Sequence, residues 1–294
     1  MMDKSQETPG SLRDKKGLTE EQFLASYKPG DYERPSVASD MVIFTVTDAE
    51  EENYRKLAKK ELRILLIRRG GHPYLGCWAL PGGFVRPTET TAQAAARELR
   101  EETGVSEVYL EQLYTFSEPD RDPRTRVMSC SYMALIDSSL VQVRAGDDAD
   151  EAAWFQASFR QKEQNGRWEL WELILSHEEI LLQAHLEKET GRPFTESTIS
   201  GSGSLAFDHA RIIACAFERL RGKLNYTDLA LHLMPEYFTL TQLQQVYEIV
   251  LDKELPAAAF RRKAAPLVAE TENYTENEGH RPSRLYRKNQ EDTD

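Results

Sequence analysis

The chain has 294 residues, 40% of them hydrophobic and 29% charged, which is enough for one large domain or two smaller ones with separate cores. Its 37 lysines and arginines face 49 aspartates and glutamates, and the formal net charge of -12 works against indiscriminate nucleic-acid binding and confines any DNA contact to a local patch. No apolar run approaches the roughly 18 residues of a membrane-spanning helix. The N-terminus lacks the apolar centre of a signal peptide, and Cys77, Cys130 and Cys215 form no CxxC pair. A reduced, cytoplasmic protein is expected, without a disulfide framework or a zinc ribbon.

In chain order, residues 1–35 read as a polar arm ending at Pro35. Strands are expected over Val37–Val46 and Leu62–Ile67, where apolar and β-branched residues concentrate, with the charged insert TDAEEENYRKLAKKE between them as a solvated hairpin tip. An alanine-rich helix is expected from Thr91 to Thr103, stopped by Gly104 in the C-cap place. Strands over Val108–Phe116 and Arg126–Ile136 follow, and another ends near Trp154 and Phe155, after which helices set the second half apart. From Asp208 a helix carries Ile212, Ile213, Ala216, Phe217 and Leu220 at core-facing spacing. Asn225–Leu233 is a short helix. A third helix starts after Phe238, with Thr239 or Thr241 as N-cap and a glutamine three residues on, and its apolar stripe is Leu243, Val246, Tyr247 and Val250. A fourth begins after Pro256, and two short strands close the chain. Three helices and a β-hairpin is the order of a winged helix-turn-helix.

The segment GGFVRPTETTAQAAARELREETGV, residues 82–105, carries the chemistry. On a helix, Glu98, Glu101 and Glu102 stand at i, i+3 and i+4, so three carboxylates share one face. Each like-charge pair at that spacing costs about 0.2–0.5 kcal/mol, so a positive charge is expected beside them. Hard oxygen ligands suit Mg²⁺ or Mn²⁺, which take one or two carboxylates and leave places for water and phosphates. A solvated glutamate-rich face is the plainer alternative. Glu89 lies eight residues before Arg97, close enough for a bidentate brace that ties the loop to the helix. Gly83 lets the backbone approach a metal.

Together Gly83, Glu89, Arg97, Glu98, Leu99, Glu101, Glu102, Gly104 and Val105 match G-x5-E-x7-R-E-U-x-E-E-x-G-U, with U apolar, at every defined position. The chain therefore resembles the Nudix hydrolases. That resemblance implies an α+β fold, an α/β/α sandwich around a mixed sheet, and metal-dependent hydrolysis of a nucleoside diphosphate linked to another group. It further implies that Glu98, Glu101 and Glu102 hold Mg²⁺ or Mn²⁺, that the Gly83 carbonyl joins them, and that Arg97 and Glu89 form a structural brace. The metal would lower the pKa of a bound water so that it attacks phosphorus near neutral pH. A base from a loop across the substrate is sought in the acidic run Asp147, Asp148, Asp150 and Glu151, with Glu151 chosen; a solvated loop is the alternative there.

The stretch Arg121, Asp122, Pro123 and Arg124 resembles the ADP-ribose-associated branch of the family, which implies ADP-ribose or a related nucleotide as substrate and AMP plus ribose 5-phosphate as products. Arg121 and Arg124 suit bidentate contact with phosphates or ribose hydroxyls. Trp78, Tyr114 and Phe116 are candidates for an adenine face. The C-terminal half resembles the winged-helix domain of the Nudix-related transcriptional regulators of NAD metabolism. Residues 256–290 hold seven basic and four acidic residues, a local net of +3, and the expected DNA contacts are Arg261, Arg262 and Lys263 on a recognition helix with Arg281 and Arg284 on a wing. A retained packing module is the alternative. The expected organisation is an arm (1–35), a Nudix domain with trailing helices (36–222), a winged-helix domain (223–290) and a tail (291–294), in a homodimer. Hydrolysis is expected first because that G-x5-E-x7-R-E-U-x-E-E-x-G-U pattern, the Nudix box, is complete; an ADP-ribose-sensing, DNA-binding regulator is the alternative.

Overall fold

A computed structural model describes residues 13–31, 33–49, 58–140, 149–275 and 282–289. Residues Met1–Pro35 form one unit and Ser36–Asp294 a second. The first contains α1 (Glu20–Ser26), begun by a reciprocal capping box between Thr19 and Gln22.

The second unit opens with β1 (Ser36–Asp48), β2 (Lys60–Arg69), β3 (Trp78–Ala79) and β4 (Gly82–Phe84). β1 and β2 are antiparallel, with Asp48 opposite Lys60; residues 50–57 of the expected hairpin tip lie outside the described residues. Next comes α2 (Thr91–Thr103), which starts on a capping box of Thr90 and Gln93 and ends at Gly104 with φ 74°. That left-handed conformation costs glycine nothing and explains why the helix stops there. β5 (Tyr109–Phe116) and β6 (Val127–Asp137) follow.

The strand expected to end near Trp154 is longer than its sequence suggested: β7 runs Ala149–Asn165. It is followed not by helices but by β8 (Trp168–His177), β9 (Ile180–Glu189) and β10 (Thr198–Ser200). Charged side chains hid these strands. Glu169 and Lys188 are buried and pair at 3.1 Å, and Lys162 meets Glu172 at 2.9 Å, so charges that look solvated in sequence are matched across neighbouring strands.

Among the described residues, ten strands form one mixed sheet in the order β10-β9-β8-β7-β2-β1-β6-β5, with β3 paired to β2 and β4 to β1. β1 and β6 run parallel. Alternation along β1 divides the core. Met41 and Ile43 join Ala95 and Leu99 of α2 on one face, while Val42 and Phe44 join the residues of α3 (His209–Lys223) on the other. All five expected core positions of α3, from Ile212 to Leu220, are buried. The result is an α+β protein with an α/β/α sandwich.

The chain continues through a 3-10 turn at Leu229–Leu233, where a helix was expected, into α4 (Leu240–Leu251) and α5 (Ala257–Ala264). Thr239 is the N-cap of α4, and Leu243, Val246, Tyr247 and Val250 are buried. β11 (Val268–Tyr274) and β12 (Arg284–Lys288) form an antiparallel hairpin, extended by a bridge between Phe238 and Tyr286. This is a winged helix-turn-helix, and its buried residues belong to the same hydrophobic cluster as α3 and the sheet. Among the described residues no helix is long and apolar enough to cross a membrane.

Candidate functional site

The turn between β4 and α2 is built around Arg97. Its Nε and Nη2 donate to Glu89 at 3.1 and 2.8 Å, a bidentate pair, and Nη2 also reaches the Phe84 carbonyl at 3.5 Å. The Arg86 amide donates to Glu89 at 2.8 Å. Loop and helix are thus clamped by one guanidinium, and the brace expected from spacing is present in this geometry.

Arg97 does more than brace. Its Nη1 donates to Glu98 at 2.6 Å and to Glu101 at 3.3 Å. The positive charge that relieves the carboxylate face is therefore supplied by the arginine itself. Among the described residues no three His, Cys, Asp or Glu side chains stand in a metal-holding arrangement. In this geometry Glu98 turns toward Arg97, Glu101 is largely exposed and Glu102 is buried. The donor set still fits a hard divalent cation, being all oxygen. A second observation supports the fit. A Cβ on Gly83 would lie 2.1 Å from the Glu98 Oε1, so glycine is what makes room for that carboxylate.

Electrostatics follow the geometry. Hydrogen bonds from Arg97 and the Arg86 amide hold the Glu89 carboxyl down at about 2, from an ordinary 4.5. Burial pushes Glu98 the other way, against the pull of Arg97. Because the folded pKa of Glu89 is depressed, its contribution to stability is present above the ordinary value and is lost as pH falls from about 4.5 through about 2. Glu89→Gln is expected to lower the urea midpoint at pH 7, with the gap to wild type closing across that acid window. A gap independent of pH would show that the carboxylate charge is not what the brace uses.

Gly83 also borders a cavity of about 430 Å³ whose wall includes Asp40, Arg69, Phe84, Arg121, Arg124, Phe207 and His209. Arg121 is buried and donates to Asp208 at 3.1 and 2.8 Å and to Asp40 at 3.3 Å. It lines the cavity, but two carboxylates hold it, so its first task is to tie the segment after β5 to the start of α3. Arg124 pairs with Asp122 through Nε and Nη2 at 3.0 and 2.8 Å and lies 5.4 Å from the Phe84 ring centre. The Nδ1 of His209 accepts from the Leu80 amide at 2.9 Å, and burial pushes its pKa down, so the ring is neutral.

Other expected residues fall elsewhere. Glu151 sits at the start of β7, half exposed and 3.8 Å from Arg68, and does not line this cavity. Asp147, Asp148 and the Asp150 side chain lie outside the described residues. Trp78 and Phe116 are core, and the exposed Tyr114 is not in the cavity wall. The aromatics that do line it, Phe84 and Phe207, carried no sequence signal; Asp40, Asp208 and His209 were equally silent, since they reach the site through contacts across many residues.

On the winged helix, Arg261 and Arg262 are exposed on α5. Lys263 is not an outward contact: its Nζ donates to the Leu224 carbonyl at 2.9 Å and lies 4.8 Å from the Tyr247 ring centre. Arg284 is engaged across the wing by Glu270 and by the Tyr274 hydroxyl at 3.0 Å, and Arg281 lies outside the described residues.

A ten-stranded mixed sheet whose α2 helix is braced to a glycine turn, with a winged helix continuing its core, makes a two-part architecture of a sheet domain and a helix-turn-helix. The chain belongs to the Nudix family: the NUDIX domain matches residues 24–173, and the NrtR DNA-binding winged helix domain matches residues 230–287. It is 34% identical over 272 residues to the ADPR responsive transcriptional repressor NtrR of Acinetobacter baylyi, covering 92% of this chain and 88% of that protein. Over 150 residues it is 37% identical to the ADP-ribose pyrophosphatase of Methanocaldococcus jannaschii, covering 51% of this chain and 73% of that enzyme. The structure of Shewanella oneidensis NrtR complexed with a 27mer DNA superposes with a TM-score of 0.59 at 27% identity, covering 86% of this chain and 93% of that one.

Proposed function

We propose that this chain is a transcriptional regulator that binds DNA through its winged helix and responds to ADP-ribose held in the cavity beside Gly83. The observation that carries this reading is the similarity to the Acinetobacter repressor across 92% of the chain, which takes in the sheet, α3 and the winged helix together. The physical support is a single core joining sheet, α3, α4 and α5, through which a change at the cavity has a packed route to the DNA-facing half. In this reading residues 36–222 are the ligand-binding part and 223–290 the DNA-binding part. Arg261 and Arg262 contact DNA, and Arg284 stiffens the wing. A homodimer would present two such helices to the half-sites of one operator.

The complete box favours a second activity on the same site, hydrolysis of ADP-ribose to AMP and ribose 5-phosphate, and the similarity to the Methanocaldococcus pyrophosphatase supports it. Glu98, Glu101 and Glu102, with the Gly83 carbonyl, would hold Mg²⁺ or Mn²⁺. The bound ion would supply charge neutralisation at the pyrophosphate and an acidified water. Arg97 positions Glu98, Gly83 leaves space for it, and Arg124 offers a guanidinium to phosphate oxygens. Calorimetric titration of ADP-ribose, followed by AMP release with Mg²⁺, tests the two levels. Binding with no release supports a sensor, binding with release supports both activities, and no binding overturns the ADP-ribose reading.

A further inference from the structure

The last turn of α3 holds neighbours on both of its sides. Arg219 and Lys223 stand at i and i+4 on one face, and both pair with Glu111 of β5, at 2.6 and 2.7 Å. Arg221 stands between them in sequence and so projects from the other side of the helix. Its Nη2 donates to the Phe159 carbonyl of β7 at 2.6 Å, and its Nε donates to the Val250 carbonyl of α4 at 2.7 Å. The guanidinium also lies 5.8 Å from the Phe159 ring centre and 5.2 Å from that of Phe217. Val250 belongs to the final turn of α4, where carbonyls lack a partner within the helix, so the arginine completes that end from outside. One half-buried side chain thus ties α3 and β7 to α4.

The end of α4 carries the DNA-facing half with it. Glu248 accepts from the Leu255 amide at 2.8 Å, and the Gln244 Nε2 donates to the Leu255 carbonyl at 2.8 Å, so side chains of α4 fix the turn into α5. Tyr247 packs on Phe260 with ring centres 5.3 Å apart, which joins α5, with its Arg261 and Arg262, to the same helix. At its opposite end α3 starts at the cavity beside Gly83. His209, its first residue, lines that cavity, and Asp208 just before it is held by Arg121. A helix of 15 residues spans roughly 20 Å, so one stiff element runs from the cavity wall to Arg221. Next to Arg221 lies a second cavity, of about 550 Å³, whose wall includes Phe159, Arg160, Glu248 and Asp252. That space lets the end of α4 shift, as a close-packed interior would not.

We propose that Arg221 is the positioning residue through which the sheet and α3 set the placement of α4, and with it α5, so that its two carbonyl bonds make DNA affinity depend on the occupancy of the cavity beside Gly83. The proposal rests on the regulator reading and names the joint through which that regulation passes.

The test uses the full chain and its Arg221→Met variant, which keeps the apolar stem packed against Phe159 and Phe217 and removes both donors. DNA anisotropy with and without ADP-ribose gives the ratio of the two affinities. That ratio is expected to be about tenfold or more in wild type and to fall to within about twofold of one in Arg221→Met, while DNA and ADP-ribose each still bind saturably. A purely structural arginine would weaken DNA binding equally in both conditions, and a wild-type ratio in the variant would overturn the proposal. Hydrogen exchange on the wild-type chain is a second measurement that does not depend on the variant folding. ADP-ribose is expected to alter amide protection in the last turn of α4 and in residues 252–255, and unaltered protection there would equally overturn it. Calorimetry separates the two levels. If wild type binds no ADP-ribose, the regulator reading falls and the proposal with it; if wild type couples the two ligands and Arg221→Met couples them equally, only the role of Arg221 falls.

Discussion

Arg261→Ala combined with Arg262→Ala is expected to weaken DNA binding by on the order of 10²-fold at moderate salt, since an arginine at a base edge contributes about 1–3 kcal/mol. The two guanidiniums are exposed on α5, the helix that precedes the wing, and the chain as a whole carries a net charge of -12, so there is little other positive charge to compensate. Where an arginine neutralises a DNA phosphate, its removal should also reduce the slope of log affinity against log salt by about one unit. Lys263→Ala makes an informative control. Its ammonium is spent on the Leu224 carbonyl and the Tyr247 ring, so its removal should lower stability while the salt slope stays unchanged. Anisotropy titrations at several salt concentrations read both affinity and slope. An unchanged affinity in the double variant would remove α5 from the interface.

Gly83→Ala is expected to lower Mg²⁺-dependent AMP release by about 10²-fold or more, the scale on which a displacement near one ångström acts at a reacting centre. A Cβ there meets the Glu98 Oε1 at 2.1 Å and its Cδ at 2.8 Å, and those atoms must move. They are the tip of a flexible side chain, so the fold gives way cheaply and the melting temperature should change little. The expected signature is a folded protein with a misplaced carboxylate, separating this effect from Glu89→Gln, which acts on stability. Turnover equal to wild type in Gly83→Ala would show that Glu98 takes no part in hydrolysis.

Much of the fold was legible because local chemistry announces it. Thr90 with Gln93, and Thr239 with Gln242, begin their helices with capping boxes, and Gly104 ends α2 in a left-handed conformation that glycine adopts without steric cost. The apolar, β-branched run of β1 was readable by composition and the stripe of α3 by period. β8 and β9 were not, because Glu169, Glu172 and Lys188 are neutralised by partners on adjacent strands, a property of pairing and not of composition. The brace of Arg97 and Glu89 was legible as a spacing, whereas the reach of the same guanidinium to Glu98 and Glu101 was not. Arg121 shows the limit most clearly. Its residue type suits a phosphate, yet Asp208 lies 87 positions along the chain, and no local rule foresees that pair.

Coupling between the proposed ADP-ribose cavity and DNA within one chain is tested most directly by anisotropy of a labelled fragment from the protein's own gene neighbourhood, titrated at low salt with and without ADP-ribose. Saturable binding is expected, with an affinity that changes at least about tenfold, a coupling of roughly 1.4 kcal/mol, when ADP-ribose is present. Binding that ignores ADP-ribose, or no binding under either condition, would contradict that coupling.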